Sequence, residues 1–329
     1  MNKPFVVTTG EPAGIGPDIS LSIACRDDAS DFVVFGNVNL LKERARALNL
    51  KLSFIEYEPQ SLPIILKKNQ LLVQDFSLTE EVQCSYLNEA NSPYVLKMIK
   101  QATQGCLRGD FSGFITGPVS KEVIANSGFN FKGHTEYIGN LCKTSPVMSF
   151  ISDDMKLALA TTHVSLQEVP SLITQDLLMN ICDIISFDLN QYFGISEPRI
   201  AILGLNPHAG ENGLLGSEEI QTIIPVIETM RNKGLNIFGP YAADTALLQN
   251  NDMDIIVSLF HDQTLPLFKY SYPHLAANVT MGLGIIRTSV DHGIALEQAG
   301  RKNTNNQSLN FALDTAKEMS ACYARSKSN

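Results

Sequence analysis

Short apolar runs rich in Val, Ile, Phe and Leu recur along this chain, each closed by glycine, proline or a polar residue, and longer amphipathic stretches lie between them. Runs of that length with β-branched and aromatic enrichment predict buried strands, and the stretches between them predict helices. The strands expected this way are Phe5–Thr9, Phe32–Phe35, one from Gly113 to the Gly117 turn, Lys156–Thr162, one from Arg199, and Ile255–Phe260. The helices are Ile19 to about Cys25, one ending near Leu48, Ser92–Cys106, a run to about Cys142 after Gly133-His-Thr-Glu136, and Gln175–Tyr192. Ser217–Lys233, interrupted near Pro225, and Ser308 to about Arg325 complete them. Residues 51–85 read as short strands and loops, and Gly239–Thr245 as a loop carrying one carboxylate, Asp244. Strands alternating with helices predict a doubly wound, mostly parallel α/β sheet with helices on both faces. At 329 residues the chain is long for one core and suits two domains.

Three of the six histidines follow apolar strands directly: His163 after Leu157-Ala-Leu-Ala-Thr-Thr, His208 in Asn206-Pro-His-Ala-Gly210, and His261 after Ile255–Phe260. Parallel strands bring their carboxyl ends to one edge, where ligands bind in open α/β sheets. Three neutral imidazoles with an open position suit Zn²⁺ or a similar divalent ion. Asp262 beside His261 could orient its imidazole, since ligating histidines commonly donate their other N–H to a carboxylate.

Charge and composition narrow the picture. The net charge of −9 argues against a general nucleic-acid binder, which needs a basic face, and 44% hydrophobic content is that of an ordinary globular protein. No apolar run reaches the roughly 20 residues that span a bilayer. The N-terminus enters a strand at once, so neither membrane nor signal peptide is expected. Six scattered cysteines with no Cys-x-x-Cys fit reduced thiols and a cytoplasmic location.

Other polar groups cluster at strand ends. Lys269 and Arg287 are expected to bind an anion, phosphate or carboxylate. His134 and Thr135 stand at a helix amino end, where free N–H groups favour negative charge. Lys121 falls in the first turn of the helix after Gly117. Gly10–Asp18, between a strand and a helix, is either a plain βα turn or a backbone segment closely approached by a ligand; it is not a Gly-x-Gly-x-x-Gly unit or a P-loop. Asp291-His292-Gly293 reads as a hydrogen-bonded pair or part of a cofactor loop. No Gly-x-Ser-x-Gly elbow and no cysteine beside a histidine supports a hydrolase.

These residues also carry a resemblance. Gly10–Ile19, Ile115-Thr-Gly-Pro-Val-Ser-Lys121, Gly133–Glu136, Ala160–His163, Gly204–Glu211, Ala243-Asp-Thr245, Phe260-His-Asp-Gln263 and Ile286–Gly293, in this order, resemble the 4-hydroxythreonine-4-phosphate dehydrogenases of pyridoxal phosphate biosynthesis. The resemblance implies oxidation of 4-phosphooxy-L-threonine at its C3 hydroxyl by NAD (or NADP), then loss of CO₂ to give 3-amino-2-oxopropyl phosphate. It implies metal ligands at His163, His208 and His261, for Zn²⁺, Mg²⁺ or Co²⁺. Substrate contacts are implied at His134, Thr135, Lys269, Asn278 and Arg287, and cofactor contacts near His292 and Gly293. A homodimer sharing its active site between subunits is implied, as is a fold of two doubly wound α/β/α domains around a cleft, like isocitrate and isopropylmalate dehydrogenases. The first domain would hold 1–135 with about 280–329, the second about 136–279. Lys121 and Asp244 are both candidates for the general base. A paralogue oxidising a 4-phosphorylated threonate or erythronate is the alternative. The chain departs from the family's usual pattern at 271–277, where a glycine-rich run is replaced, and at 302–305.

Overall fold

The structure, a computed structural model, describes residues 3–59, 64–249, 252–302 and 304–327. Asn303, in the second departure from the family pattern, lies outside the described residues. The strands in chain order are β1 (Phe5–Thr8), β2 (Phe32–Gly36), β3 (Ser53–Glu56), β4 (Gln70–Asp75), β5 (Gly113–Thr116) and β6 (Val147–Ile151). They continue with β7 (Lys156–Leu159), β8 (Arg199–Leu203), β9 (Asn236–Tyr241), β10 (Ile255–Ser258), β11 (Ala277–Met281) and β12 (Arg287–Ser289). The helices are α1 (Gly16–Leu21), α2 (Val38–Ala47), α3 (Ser92–Arg108), α4 (Lys121–Asn126), α5 (His134–Cys142) and α6 (Val169–Leu172). After them come α7 (Gln175–Phe193), α8 (Ile224–Asn232), α9 (Ala243–Gln249), α10 (Leu265–Ser271) and α11 (Gln307–Ser326).

The chain divides into two compact units, residues 1–145 with 283–317 and residues 146–282 with 318–329. The first carries strands in the order β3-β4-β2-β1-β5-β12, every pair parallel. Alternate residues explain why helices cover both faces. Val6, Val33, Phe35, Leu72 and Phe114 pack with the apolar side of α3 in one core. Their neighbours Val7, Val34, Leu71 and Ile115, pointing the other way, are just as buried. On that second face Thr288 Oγ1 donates to the Ala312 carbonyl of α11 at 2.8 Å.

The second unit has the order β11-β6-β7-β10-β8-β9. Here β7, β10, β8 and β9 are parallel, while β6 runs antiparallel to both β7 and β11. Its core includes Phe150, Leu157, Leu159, Ala201, Leu203, Ile256 and Phe268. The stretch expected to be a loop, Gly239–Thr245, is instead the end of β9 and the first turn of α9. Pro240 hid the strand, because proline cannot donate to a ladder; β9 stands at the end of the order, where a missing donor is tolerated. All six cysteines are free thiols. Among the described residues no helix is long and apolar enough to cross a membrane.

Candidate active site

In the second unit β7, β10 and β8 are adjacent and parallel, so the segments leaving Leu159, Ser258 and Leu203 emerge on one edge. The sequence places His163, His261 and His208 on those three segments. The His163 and His261 rings stand 5.9 Å apart, tilted by 41°. Together with Thr162, Val164, Leu166, Val169, Phe260 and Asp262 they line a cleft of about 320 Å³. His208 is not among the cleft's lining residues. Among the described residues of one chain, no three His, Cys, Asp or Glu side chains converge closely enough to hold an ion.

Two of these imidazoles have one nitrogen already engaged by a carboxylate. His261 Nδ1 lies 2.6 Å from Asp262 Oδ1, and His208 Nδ1 lies 3.0 Å from Glu211 Oε1. A carboxylate on Nδ1 places the proton there and leaves Nε2 as the basic nitrogen, which suits a metal ligand. The donor chemistry therefore fits a divalent ion.

His208 sits in unusual backbone. Residues His208, Ala209, Gly210, Glu211 and Asn212 have φ of 52, 52, 79, 43 and 53°, a left-handed turn. The left-handed region costs roughly 1–2 kcal/mol for each non-glycine residue, so the surroundings must hold it. Glu219, buried, anchors the segment that leads into the turn. Its Oε1 accepts from Leu205 N and Asn206 N, both at 2.8 Å, and its Oε2 accepts from Asn206 Nδ2 at 2.9 Å. Gly210 is required inside the turn, because a Cβ there would lie 2.6 Å from Glu219 Oε2. Helix α9, with Asp244 exposed in its first turn, packs against this turn.

Lys269, on α10, places its Nζ 5.7 Å from the centre of the Phe150 ring. Asn278, on β11, is the register partner of that same Phe150 on β6. The structure thus brings these two expected substrate contacts to one residue of the second unit.

In the first unit the expected polar groups gather around Arg287. This side chain, on β12, is only 2% exposed, and its Nη2 donates to Thr116 Oγ1 of β5 at 2.6 Å. Burial pulls the guanidinium down to about 9, with the Glu136 carboxylate opposing, so it stays protonated at neutral pH. His134 opens α5, with Thr135 buried beside it. Its Nε2 is sealed from solvent and has no hydrogen-bond partner. Burial, with Arg287 and Lys121 nearby, holds its pKa well below the usual imidazole range, so the ring is neutral. Lys121, exposed, begins α4 behind the Ser120 cap. A cation beside a neutral imidazole with an open nitrogen can receive a phosphate or carboxylate without any group changing protonation.

The loop 292–300 is braced from beneath. His292 Nδ1 donates to the Gly293 carbonyl at 2.9 Å. Ile15 N donates to the Ile294 carbonyl at 3.0 Å, and Ser85 Oγ to the Leu296 carbonyl at 2.6 Å. Asp18, sealed under the loop, accepts from Gly300 N at 2.7 Å and from Arg44 Nε and Nη2 at 2.6 and 2.8 Å. The Gly10–Asp18 turn is therefore the platform on which this loop rests. Gly14 has no room for a side chain, since a Cβ there would lie 2.7 Å from the Ile294 carbonyl oxygen.

Sequence reasoning did not single out Glu136, Thr116, Glu219, Gln263 or the Asp18–Arg44 pair. Asp18 and Gln263 had a visible signal, being the polar residues that close the Gly10–Asp18 and Phe260–Gln263 segments. Arg44 and Glu219 had none, because each acts on a segment distant in the chain.

The chain matches the family described as pyridoxal phosphate biosynthetic protein PdxA over residues 28–316. It is 43% identical over 326 residues to the 4-hydroxythreonine-4-phosphate dehydrogenase of Pseudomonas syringae pv. tomato, covering 98% of this chain and 99% of that protein. It is 42% identical over 319 residues to the enzyme of the same name from Vibrio parahaemolyticus, covering 96% of each. The crystal structure of 4-hydroxythreonine-4-phosphate dehydrogenase from Klebsiella pneumoniae superposes with a TM-score of 0.87 at 28% identity, covering 97% of this chain and all of that one.

Proposed function

This chain belongs to the PdxA family of pyridoxal phosphate biosynthetic proteins, and on that premise we propose that it is a 4-hydroxythreonine-4-phosphate dehydrogenase. It oxidises the C3 hydroxyl of 4-phosphooxy-L-threonine with NAD and a divalent metal, and the β-keto acid then loses CO₂ to give 3-amino-2-oxopropyl phosphate. The observation that carries this reading is the His163–His261 pair facing across a cleft at the exits of adjacent parallel strands.

His163, His208 and His261 would hold the ion. When bound, the ion supplies Lewis acidity toward the hydroxyl oxygen, and NAD supplies the hydride acceptor. The chain's own groups bind and orient. Arg287, kept charged in a sealed site, pairs with one anionic group of the substrate, and Thr116 fixes its direction. His134, kept neutral, presents Nε2 beside Arg287, and within the second unit Lys269 and Asn278 are substrate contacts. The loop at His292 and Gly293 receives the cofactor, on the platform of Asp18 and Arg44. Lys121, close to His134, and Asp244, beside the His208 turn, are the two candidate proton acceptors. The base variant will show loss of kcat with a displaced pH–rate limb; the other will not.

A second copy of this chain is the partner we propose. Leu166, Leu214 and Tyr270 are 69%, 82% and 85% exposed. Leu166 and Leu214 follow His163 and His208 in the chain, and Tyr270 lies on the helix after His261, so exposed apolar side chains accompany each histidine segment and favour association. A dimer would complete with a partner's imidazole a ligand set of which one chain brings two rings together.

The test is NADH formation from 4-phosphooxy-L-threonine and from 4-phosphorylated threonate and erythronate. Turnover confined to the amino-acid substrate is expected. Turnover confined to the threonate-type acids would overturn the substrate assignment while leaving the dehydrogenase.

A further inference from the structure

Leu259 is the node of the histidine edge. Its carbonyl accepts from Thr161 Oγ1 at 2.7 Å and from Thr161 N at 3.2 Å, which ties the His163 segment to the His261 segment. Its N–H donates to Gln263 Oε1 at 2.7 Å. The other end of the same amide, Gln263 Nε2, donates to the Gly204 carbonyl at 2.6 Å. Gly204 leads into Leu205 and Asn206, whose N–H groups Glu219 holds. One side chain thus spans the exits of β10 and β8, satisfying a donor on one and an acceptor on the other. An amide can do both at once, since it carries an acceptor and a donor on one planar group. Neither bond repeats what the sheet supplies, because the strands end at Ser258 and Leu203.

We propose that Gln263 is a positioning residue: by clamping the β10 exit to the β8 exit, it holds His261 in its own chain's cleft and His208 where it can join the site shared with a second copy, and so sets the protein's affinity for its divalent ion, which it does not itself touch. The proposal rests on the reading of these histidines as metal ligands. Its logic is that of any ligand held by outer hydrogen bonds. A loop that carries an imidazole contributes fully to a metal site only when the ring is held in place beforehand, and loss of such support typically costs about 10–100-fold in metal affinity.

The experiment uses the full-length protein, stripped with a chelator and titrated with Co²⁺, whose visible absorption reports both occupancy and ligand geometry. Gln263→Met keeps the side chain's length and removes both bonds. Gln263→Glu keeps the bond from Leu259 N but sets a carboxylate against the Gly204 carbonyl. Thermal melts of the stripped forms give the folded fraction, and affinity is calculated on folded protein alone. Both variants should bind Co²⁺ at least about 10-fold more weakly than the wild type, with an altered spectrum. A purely structural glutamine would lower the melting temperature and leave affinity and spectrum unchanged, and that result overturns the proposal. If Gln263→Met does not fold, Gln263→Glu decides the matter by the same criterion. Thr161→Val, which removes the side-chain half of the other tie, should weaken binding in the same direction. A wild-type protein that takes up no Co²⁺ would instead overturn the metal reading beneath the proposal, so the two failures are distinguishable.

Discussion

Arg287 is the largest side chain sealed inside this protein with almost no exposure. A buried guanidinium is costly to desolvate in the free protein and useful toward an anion in the complex. Arg287→Met should therefore leave the free protein as stable or more stable in a thermal melt. The same change should raise KM for the phosphorylated substrate by 100-fold or more, the order expected when a charge-assisted contact worth about 3 kcal/mol is lost. His134 supplies a pH test. Its folded pKa is depressed from 6.5, so the stability it contributes is fully present above pH 6.5 and is lost as pH falls toward the folded value. His134→Gln should flatten the acid side of a plot of melting temperature against pH below 6.5. An unchanged acid limb would show that the ring is not held neutral. At this scale much was legible. Arg287, His134 and Thr135 were singled out because strand ends and a helix amino end are where anions bind. Glu136 was not, because a glutamate in a helix's first turn is ordinary until its neighbours are known.

At the scale of elements, the left-handed turn 208–212 is the feature no periodicity predicts. Asn206-Pro-His-Ala-Gly210 announced that β8 must end there, but not that Glu219, beyond the turn in sequence, anchors Leu205 and Asn206 at its entry. Removing it with Glu219→Ala leaves two part-buried backbone donors without their carboxylate acceptor, at about 1–3 kcal/mol each. Denaturant unfolding should show a loss of roughly 2–5 kcal/mol. The strand exits themselves were legible from sequence, because β5, β8 and β10 are short, mostly apolar and lead within a few residues to glycine, proline or histidine. β6 and β11 were not, since an antiparallel pair lying 130 residues apart, as the Ser149–Val279 hydrogen bond does, leaves no local trace. β9 was concealed by Pro240, which reads as a breaker in sequence and is harmless on an edge strand.

For the whole molecule, the alternation of strand and helix gave the α/β architecture directly, since parallel strands are usually joined by a crossover helix. The site asks for more than one chain's sequence displays. Two imidazoles meet within a single chain, and the third ligand we propose comes through association with a second copy, so a variant that disrupts the apolar surface should lose metal and activity together. Replacing Leu214 and Tyr270, both strongly exposed, by aspartate should shift the protein toward monomer in light scattering and abolish turnover. An active monomer would contradict the shared site.

The most direct measurement is NADH formation from 4-phosphooxy-L-threonine by full-length protein stripped of metal, before and after Zn²⁺, Co²⁺ or Mg²⁺ is restored, with metal content determined on the same samples. The account predicts no turnover in the stripped protein, recovery with a divalent ion, and neither bound metal nor recovery in His261→Ala. Undiminished turnover in protein shown to contain no metal would contradict it.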